Sequence, residues 1–287
     1  MKNSFKRIWA DIVQKCISMQ MLFAVLFLTF IFLMNVYDTA TGTSLLYEIL
    51  SNGLKLDDHG SSLLFQLYAV ARTNQALAYF APAALGIVMA GSFCDEWNSR
   101  FIAFKFARMD KKVYLKELVL QTVMISCIMT ILAYVLFAMI VSVFLHTPKD
   151  YEEYMQVLIY NIVTGSRAEG ATDILAWKMF LGIVIAVAML LVYMAITGLF
   201  VMLVAAISKN MYITLCLPCY VYYILGTISR RIFFVLGKDW GAYFEPGILY
   251  AWNQNMISYI ALCVFLFLLI SGLFYMLMER GVDKCEG

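Results

Sequence analysis

Six stretches of 20 or more residues in this chain contain no Asp, Glu, Lys or Arg: residues 16–37, 73–94, 118–145, 179–208, 210–229 and 246–278. The shortest has 20 residues and the longest 33, and together they occupy more than half of the 287 residues. A helix crossing the ~30 Å hydrocarbon core of a bilayer needs about 20 mostly apolar residues. Inside lipid the backbone must also satisfy its own hydrogen bonds, which leaves helices or closed barrels. A membrane β-strand would alternate in polarity over about ten residues, whereas these runs are apolar all round. Hydrophobic residues make up 63% of the chain and charged residues 14%, against roughly 45–50% and about 25% in soluble domains. Soluble globular, disordered and nucleic-acid-binding classes are thereby excluded. The sequence predicts an all-α membrane protein, with residues 1–287 forming a single transmembrane domain. Its six transmembrane helices are expected at about 17–37, 76–94, 118–145, 179–207, 210–229 and 256–278.

Orientation follows from the basic residues. If the N-terminus is inside, the inner segments hold 13 of the Lys and Arg residues and the outer segments 8. The positive-inside bias then places both termini in the cytoplasm. The first run is longer than the apolar core of a signal peptide and no small-residue cleavage site follows it, so the first helix is read as retained. No cysteine falls in an outer segment, so no disulfide framework is implied. Cys216-Leu217-Pro218-Cys219 has redox-motif spacing. Inside an apolar run it reads as two small core residues flanking a proline kink, because a reactive pair needs an exposed, electropositive setting.

Residues 1–15 read as an interfacial elbow helix. Phe5, Ile8, Trp9, Ile12 and Val13 share one face while Lys2, Lys6, Arg7, Asp11 and Lys15 take the other. The second run is rich in Ala and Gly, and the fourth offers Gly182 and Ala186 at small-xxx-small spacing, which favours close helix approach in lipid. Pro82 should bend the outer half of the second span. The outer segments 38–72 and 146–178 are acid-rich and long enough for short surface helices. Residues 229–256, with Trp240, Tyr243 and Trp252, suit a segment dipping into the outer interface.

Ionisable groups within a membrane are costly and mark function, yet all six runs lack Asp, Glu, Lys and Arg, and His59 and His146 lie outside them. There is no zinc-protease, serine-hydrolase or phosphate-loop motif. The chain is therefore expected to be no enzyme and to bind no cofactor or metal, and any uphill transport draws its energy from another chain. Proton or sodium coupling through backbone carbonyls and Asn or Ser groups stays open.

One cytoplasmic stretch between spans two and three is both highly charged and aromatic. Asp95 and Glu96 lead it, where a helix dipole favours acids. Trp97, Arg100, Phe101, Phe104, Lys105 and Phe106 follow. Its aromatics fit either an interfacial helix touching lipid or a docking helix with knobs for a partner's groove. Trp97 and Phe101 would then share a face at i and i+4.

Here the chain resembles the permease subunits of ABC-2 type ABC transporters. Between spans two and three these carry an apolar residue, one or two acids, a polar turn often ending Gly-Thr, basic residues, an Arg before a short gap, then Tyr and Lys. Phe93, Asp95, Glu96, Lys105, Arg108, Lys112, Tyr114 and Lys116 fit that order, and Arg100-Phe101 stand where Gly-Thr is common. The resemblance implies six spans, an elbow helix and a coupling helix docking on a separate ATPase subunit that binds ATP and Mg. Asp95, Glu96, Trp97, Arg100, Phe101, Phe104 and Lys105 are the expected contact residues. It further implies a homodimer, or a heterodimer with a second permease, in the bacterial plasma membrane. The expected cargo is an amphipathic peptide, antibiotic or lipid-like molecule, with spans one, two and five facing the pathway. A non-transporting structural or signalling membrane protein and a secondary transporter are the alternatives.

Overall fold

The computed structural model describes residues 2–35, 44–51, 63–99, 101–108, 110–144, 176–236 and 256–283. These form helices without a β-strand: α1 (Lys2–Cys16), α2 (Met19–Leu33), α3 (Leu45–Ser51), α4 (Leu63–Thr73), α5 (Gln75–Asn98), α6 (Phe101–Arg108), α7 (Lys111–Phe144), α8 (Ala176–Ser208), α9 (Met211–Leu236) and α10 (Met256–Asp283). Among the described residues, most of each uncharged run lies in one helix of this set. Lys112–Phe144 in α7 and Gly182–Ser208 in α8 are long and apolar enough to cross a membrane, and α1 with α2 makes a third candidate as one bent span. Shorter apolar helical stretches run over Met211–Ile224 and Cys263–Leu277.

The surface agrees with lipid as solvent. Leu22, Phe23, Leu26 and Phe30 of α2, Leu132, Val135 and Met139 of α7, and Val264, Phe265 and Leu268 of α10 all stand exposed. Soluble monomers rarely expose contiguous apolar areas on this scale, and hydrocarbon removes the cost.

α8 is the hub of the bundle, touching α4, α5, α7, α9 and α10, while α2 lies against α5 and α7. Close approach explains the α7–α8 contact. A Cβ at Gly198 would collide with Ser126 Oγ and lie 3.5 Å from Thr122 Cγ2. Thr122, Ser126 and Thr130 are buried along α7, and each donates its hydroxyl to the carbonyl four residues earlier, at 2.7–2.8 Å. That back-bonding satisfies the hydroxyls within their own helix and leaves a narrow seam for the neighbour. Gly86 of α5 receives α9 in the same way, with Leu215 Cδ2 2.8 Å from where a Cβ would stand. Gly182 and Ala186 are buried, and Gly198 makes a close approach of α8 to α7.

α1 meets α2 at 65°. Ser18 makes the corner: its Oγ accepts from Met21 N at 3.2 Å and donates to Lys15 O at 2.6 Å. Ile12 of α1 is buried while Trp9 and Val13 remain exposed.

Two expectations change. Residues 38–72 do contain short helices, α3 and α4, but α4 is not superficial: Tyr68, Val70 and Ala71 are buried and α4 packs on α8 and α7. Tyr134 donates to Leu67 O at 2.9 Å, and Asn74, joining α4 to α5, caps Leu77 N at 3.1 Å and donates to Ile31 O at 3.0 Å. Asn74 thereby satisfies a first-turn N–H of α5 in the interior, and the Tyr134 hydroxyl finds its acceptor on α4. The cysteine pair is unbonded, but Cys216 is exposed rather than in the core. Most of segment 146–178, expected to be outer, and most of the aromatic segment 229–256 lie outside the described residues, although α9 continues to Leu236.

Candidate functional site

The segment expected to dock a partner is two helices. α5 ends at Asn98, where Ser99 N donates to Asp95 O at 2.9 Å and Ser99 Oγ to Glu96 O at 3.3 Å. α6 starts afresh at Phe101. Trp97 and Phe101 therefore do not share one helical face, which corrects the i, i+4 expectation. Trp97 is half-buried. Its ring lies 6.0 Å from that of Phe93, and the Lys209 ammonium sits 4.3 Å above it. Cation–π attraction of this kind is stronger where water is partly excluded.

Lys209 belongs to the tight junction between α8 and α9. It takes a left-handed φ of 53°, unusual for a residue with a side chain. Around it Asn210 Oδ1 accepts from Tyr212 N at 2.9 Å, and the hydroxyls of Ser208 and Thr214 lie 3.0 Å apart. Asn98 Nδ2 donates to Lys209 O at 3.3 Å. The end of α5 is thus tied to the α8–α9 junction by a side chain over a ring and by a hydrogen bond.

α6 has the opposite character. Ile102 is buried, whereas Phe101 is 51% and Phe104 68% exposed. Lys105 reaches back across the break to Glu96 Oε2 at 2.8 Å and lies 5.4 Å and 5.7 Å from the ring centroids of Phe101 and Tyr114. Of the expected contact residues, Glu96 and Lys105 are brought together. Asp95, Phe101 and Phe104 face outward, Trp97 packs inward, and Arg100 lies outside the described residues.

Behind the Glu96–Lys105 bridge is a cavity of about 450 Å³ bounded by α1, α2, α5, α6 and α7. Its charged walls are Asp11, Lys15, Glu96, Lys105 and Glu117. Gln121 Nε2 donates to Asp11 Oδ2 at 3.1 Å, holding α1 to α7. Burial pushes the Lys15 ammonium below its ordinary value; Glu96 and Asp11 oppose that shift and Lys105 adds to it. Burial, reinforced by Glu96 and Asp11, pushes the Tyr114 hydroxyl up. Sequence reasoning missed this cavity, because its walls come from separate stretches of chain. The one signal was a scatter of polar residues (Gln20, Ser92, Gln121) at the ends of otherwise apolar runs. Among the described residues no group of His, Cys, Asp and Glu is placed to hold a metal ion.

Comparison with protein-family models, with curated proteins and with solved structures finds no match to this chain.

Proposed function

We propose that this chain is the permease subunit of an ATP-driven transporter of the ABC-2 type. In this reading its helices make six membrane crossings, both termini are cytoplasmic, and a separate subunit hydrolyses ATP. The observation that carries the reading is α6: a short helix with Phe101 and Phe104 turned outward and braced by Glu96 and Lys105 across a helix break. Exposed aromatic anchors on a fixed helix are what a partner's groove takes up. α1, α7 and the α8–α9 junction all reach the same end of the bundle, so force applied to α6 passes directly into the long helices.

The cargo reading rests on α9 and α5. Tyr212, Tyr220 and Tyr223 are exposed along α9, and Tyr223 meets Tyr79 of α5 edge-on with centroids 6.2 Å apart. Hydroxyls facing bare hydrocarbon are costly. A second copy or a related permease enclosing this face would give an aromatic pathway suited to an amphipathic peptide or lipid-like cargo. The test is co-purification with the ATPase chain. Recovery of that chain, with ATP hydrolysis appearing only when it is present, is the expected result. ATP turnover by the isolated chain, or failure to recover any ATPase, would overturn the reading. Transport restricted to a small hydrophilic ion or sugar would overturn the cargo assignment.

A further inference from the structure

Among the described residues, and glycine aside, Lys209 alone takes a positive φ, at 53°. It follows the last residue of α8 and closes that helix, its N–H donating to Ala205 O at 2.9 Å. A left-handed residue at this place is ordinarily glycine, because a Cβ there crowds the backbone. Asparagine tolerates the conformation better than lysine does, yet Asn210 stands next in the chain and does not take it. Such strain persists only where the surroundings over-determine it, and it clusters at switch regions.

What holds Lys209 is the last turn of α5. Its ammonium lies 4.3 Å from the centroid of the Trp97 ring, and its carbonyl accepts from Asn98 Nδ2 at 3.3 Å. Glu96, the residue before these two, takes the bridge from Lys105 of α6. Three consecutive residues therefore join α6 on one side to the α8–α9 junction on the other. From that node α5 and α9 run against each other along their length. Met211 Cε lies 3.6 Å from where a Cβ on Gly91 would stand, Leu215 fills the notch at Gly86, and Tyr223 meets Tyr79.

We propose that Lys209 is a strained latch. While its side chain lies on Trp97, α9 follows any displacement of the last turn of α5. When that contact breaks, the left-handed turn relaxes and α9 is released at its N-terminal end. The ring contact and the backbone strain bias these two states in opposite directions. The latch belongs to the fold whether or not the chain transports anything. Only its use rests on the permease reading, in which the pull that opens it comes from a partner seated on Phe101 and Phe104.

The full-length chain in detergent, with no ATPase present, is followed by amide exchange over residues 94–99 and 208–213 and by thermal unfolding. Lys209→Gly removes contact and strain together. Exchange over 94–99 should quicken about threefold to tenfold, the loss of one cation–π contact, with no fall in unfolding temperature. Lys209→Ala removes the contact and keeps the strain, so it should quicken the same exchange and unfold at a lower temperature than Lys209→Gly. Lys209→Arg should keep exchange slow, since a guanidinium also stacks on an aromatic face. Coupling between two sites is reciprocal. Trp97→Leu, which keeps apolar bulk against Phe93, should therefore quicken exchange over 208–213, and adding it to Lys209→Gly should quicken that segment no further. Unaltered exchange over 94–99 in both the Gly and Ala variants, equal unfolding temperatures for those two, or full additivity in the double variant would each overturn the latch. If Trp97→Leu does not elute as a single species, the three Lys209 variants decide alone. Failure to recover an ATPase would leave these outcomes untouched, so the two readings fail separately.

Discussion

Glu96 and Lys105 stand on opposite sides of the helix break at Ser99, nine residues apart in sequence and 2.8 Å apart in space. Their side chains are 31% and 33% exposed, respectively, so solvent screens the attraction and the pair contributes at most about 1 kcal/mol. Its importance is geometric. With Ser99 ending α5, this bridge, the burial of Ile102 and the approach of Lys105 to the Tyr114 ring are, among the described residues, what sets the angle at which α6 presents Phe101 and Phe104.

Glu96→Gln should therefore leave thermal stability nearly unchanged and loosen α6. Faster amide exchange across residues 101–108, with the rest of the bundle unaffected, is the expected readout. High salt should reproduce part of the effect in the unaltered chain. Unchanged exchange in α6 would mean that Ile102 and the approach of Lys105 to Tyr114 position the helix without the bridge.

Trp97 and the α6 phenylalanines should separate cleanly in mutagenesis. Phe101→Ala and Phe104→Ala, at exposed positions, should change stability by no more than about 0.5 kcal/mol yet weaken ATPase recovery by about 2 kcal/mol or more if both anchor the partner. Trp97→Ala should cost about 1–3 kcal/mol of stability by removing the packing on Phe93 and the contact with Lys209. Pull-down yield set beside unfolding temperature tests both. Normal recovery of the ATPase without either phenylalanine would show that they face lipid.

The α7–α8 seam predicts a pair of opposite glycine effects. Gly198→Ala drives a methyl into Ser126 and should destabilise by about 1–3 kcal/mol, with Ser126→Ala recovering part of the loss in a double mutant. Gly272→Ala meets nothing within 4 Å and should be neutral or stabilising by roughly 0.5–1 kcal/mol, since alanine restricts the unfolded chain and favours helix. Unfolding temperatures in detergent decide between these signs.

Lys15 and Tyr114 make stability depend on pH in opposite senses. Burial holds Lys15 below its ordinary 10.5 in the fold. The unfolded chain then binds the extra proton between the lowered value and 10.5, and stability rises with pH across that window. Tyr114 is raised above its ordinary 10.0, so the unfolded chain ionises first and stability falls once pH passes 10.0. In lipid-free detergent, Lys15→Gln should flatten the rise and Tyr114→Phe the fall. Unfolding temperatures measured from neutral pH to above 10.5 check both slopes, and two unchanged curves would mean that water solvates these groups fully in the fold.

The helices and the amphipathic elbow were legible from residue order alone. A run without charges long enough to cross hydrocarbon has few alternatives to a helix, and the alternation of Ile8, Trp9, Ile12 and Val13 with Lys6, Arg7, Asp11 and Lys15 marks α1 one turn at a time. Those are local properties, fixed by composition and spacing. The placement of α4 inside the bundle, the seating of Gly198 against Ser126, and the inward turn of Trp97 away from Phe101 were decided only in three dimensions. A helix apolar on every side has no preferred face, so its rotation and its neighbours are set by where small side chains allow contact and where buried polar groups find partners. The cavity is the extreme case. Asp11, Lys15, Glu96, Lys105 and Glu117 sit on four helices, and nothing in their order along the chain brings them together before α1 folds back at Ser18 and α6 turns at Ser99.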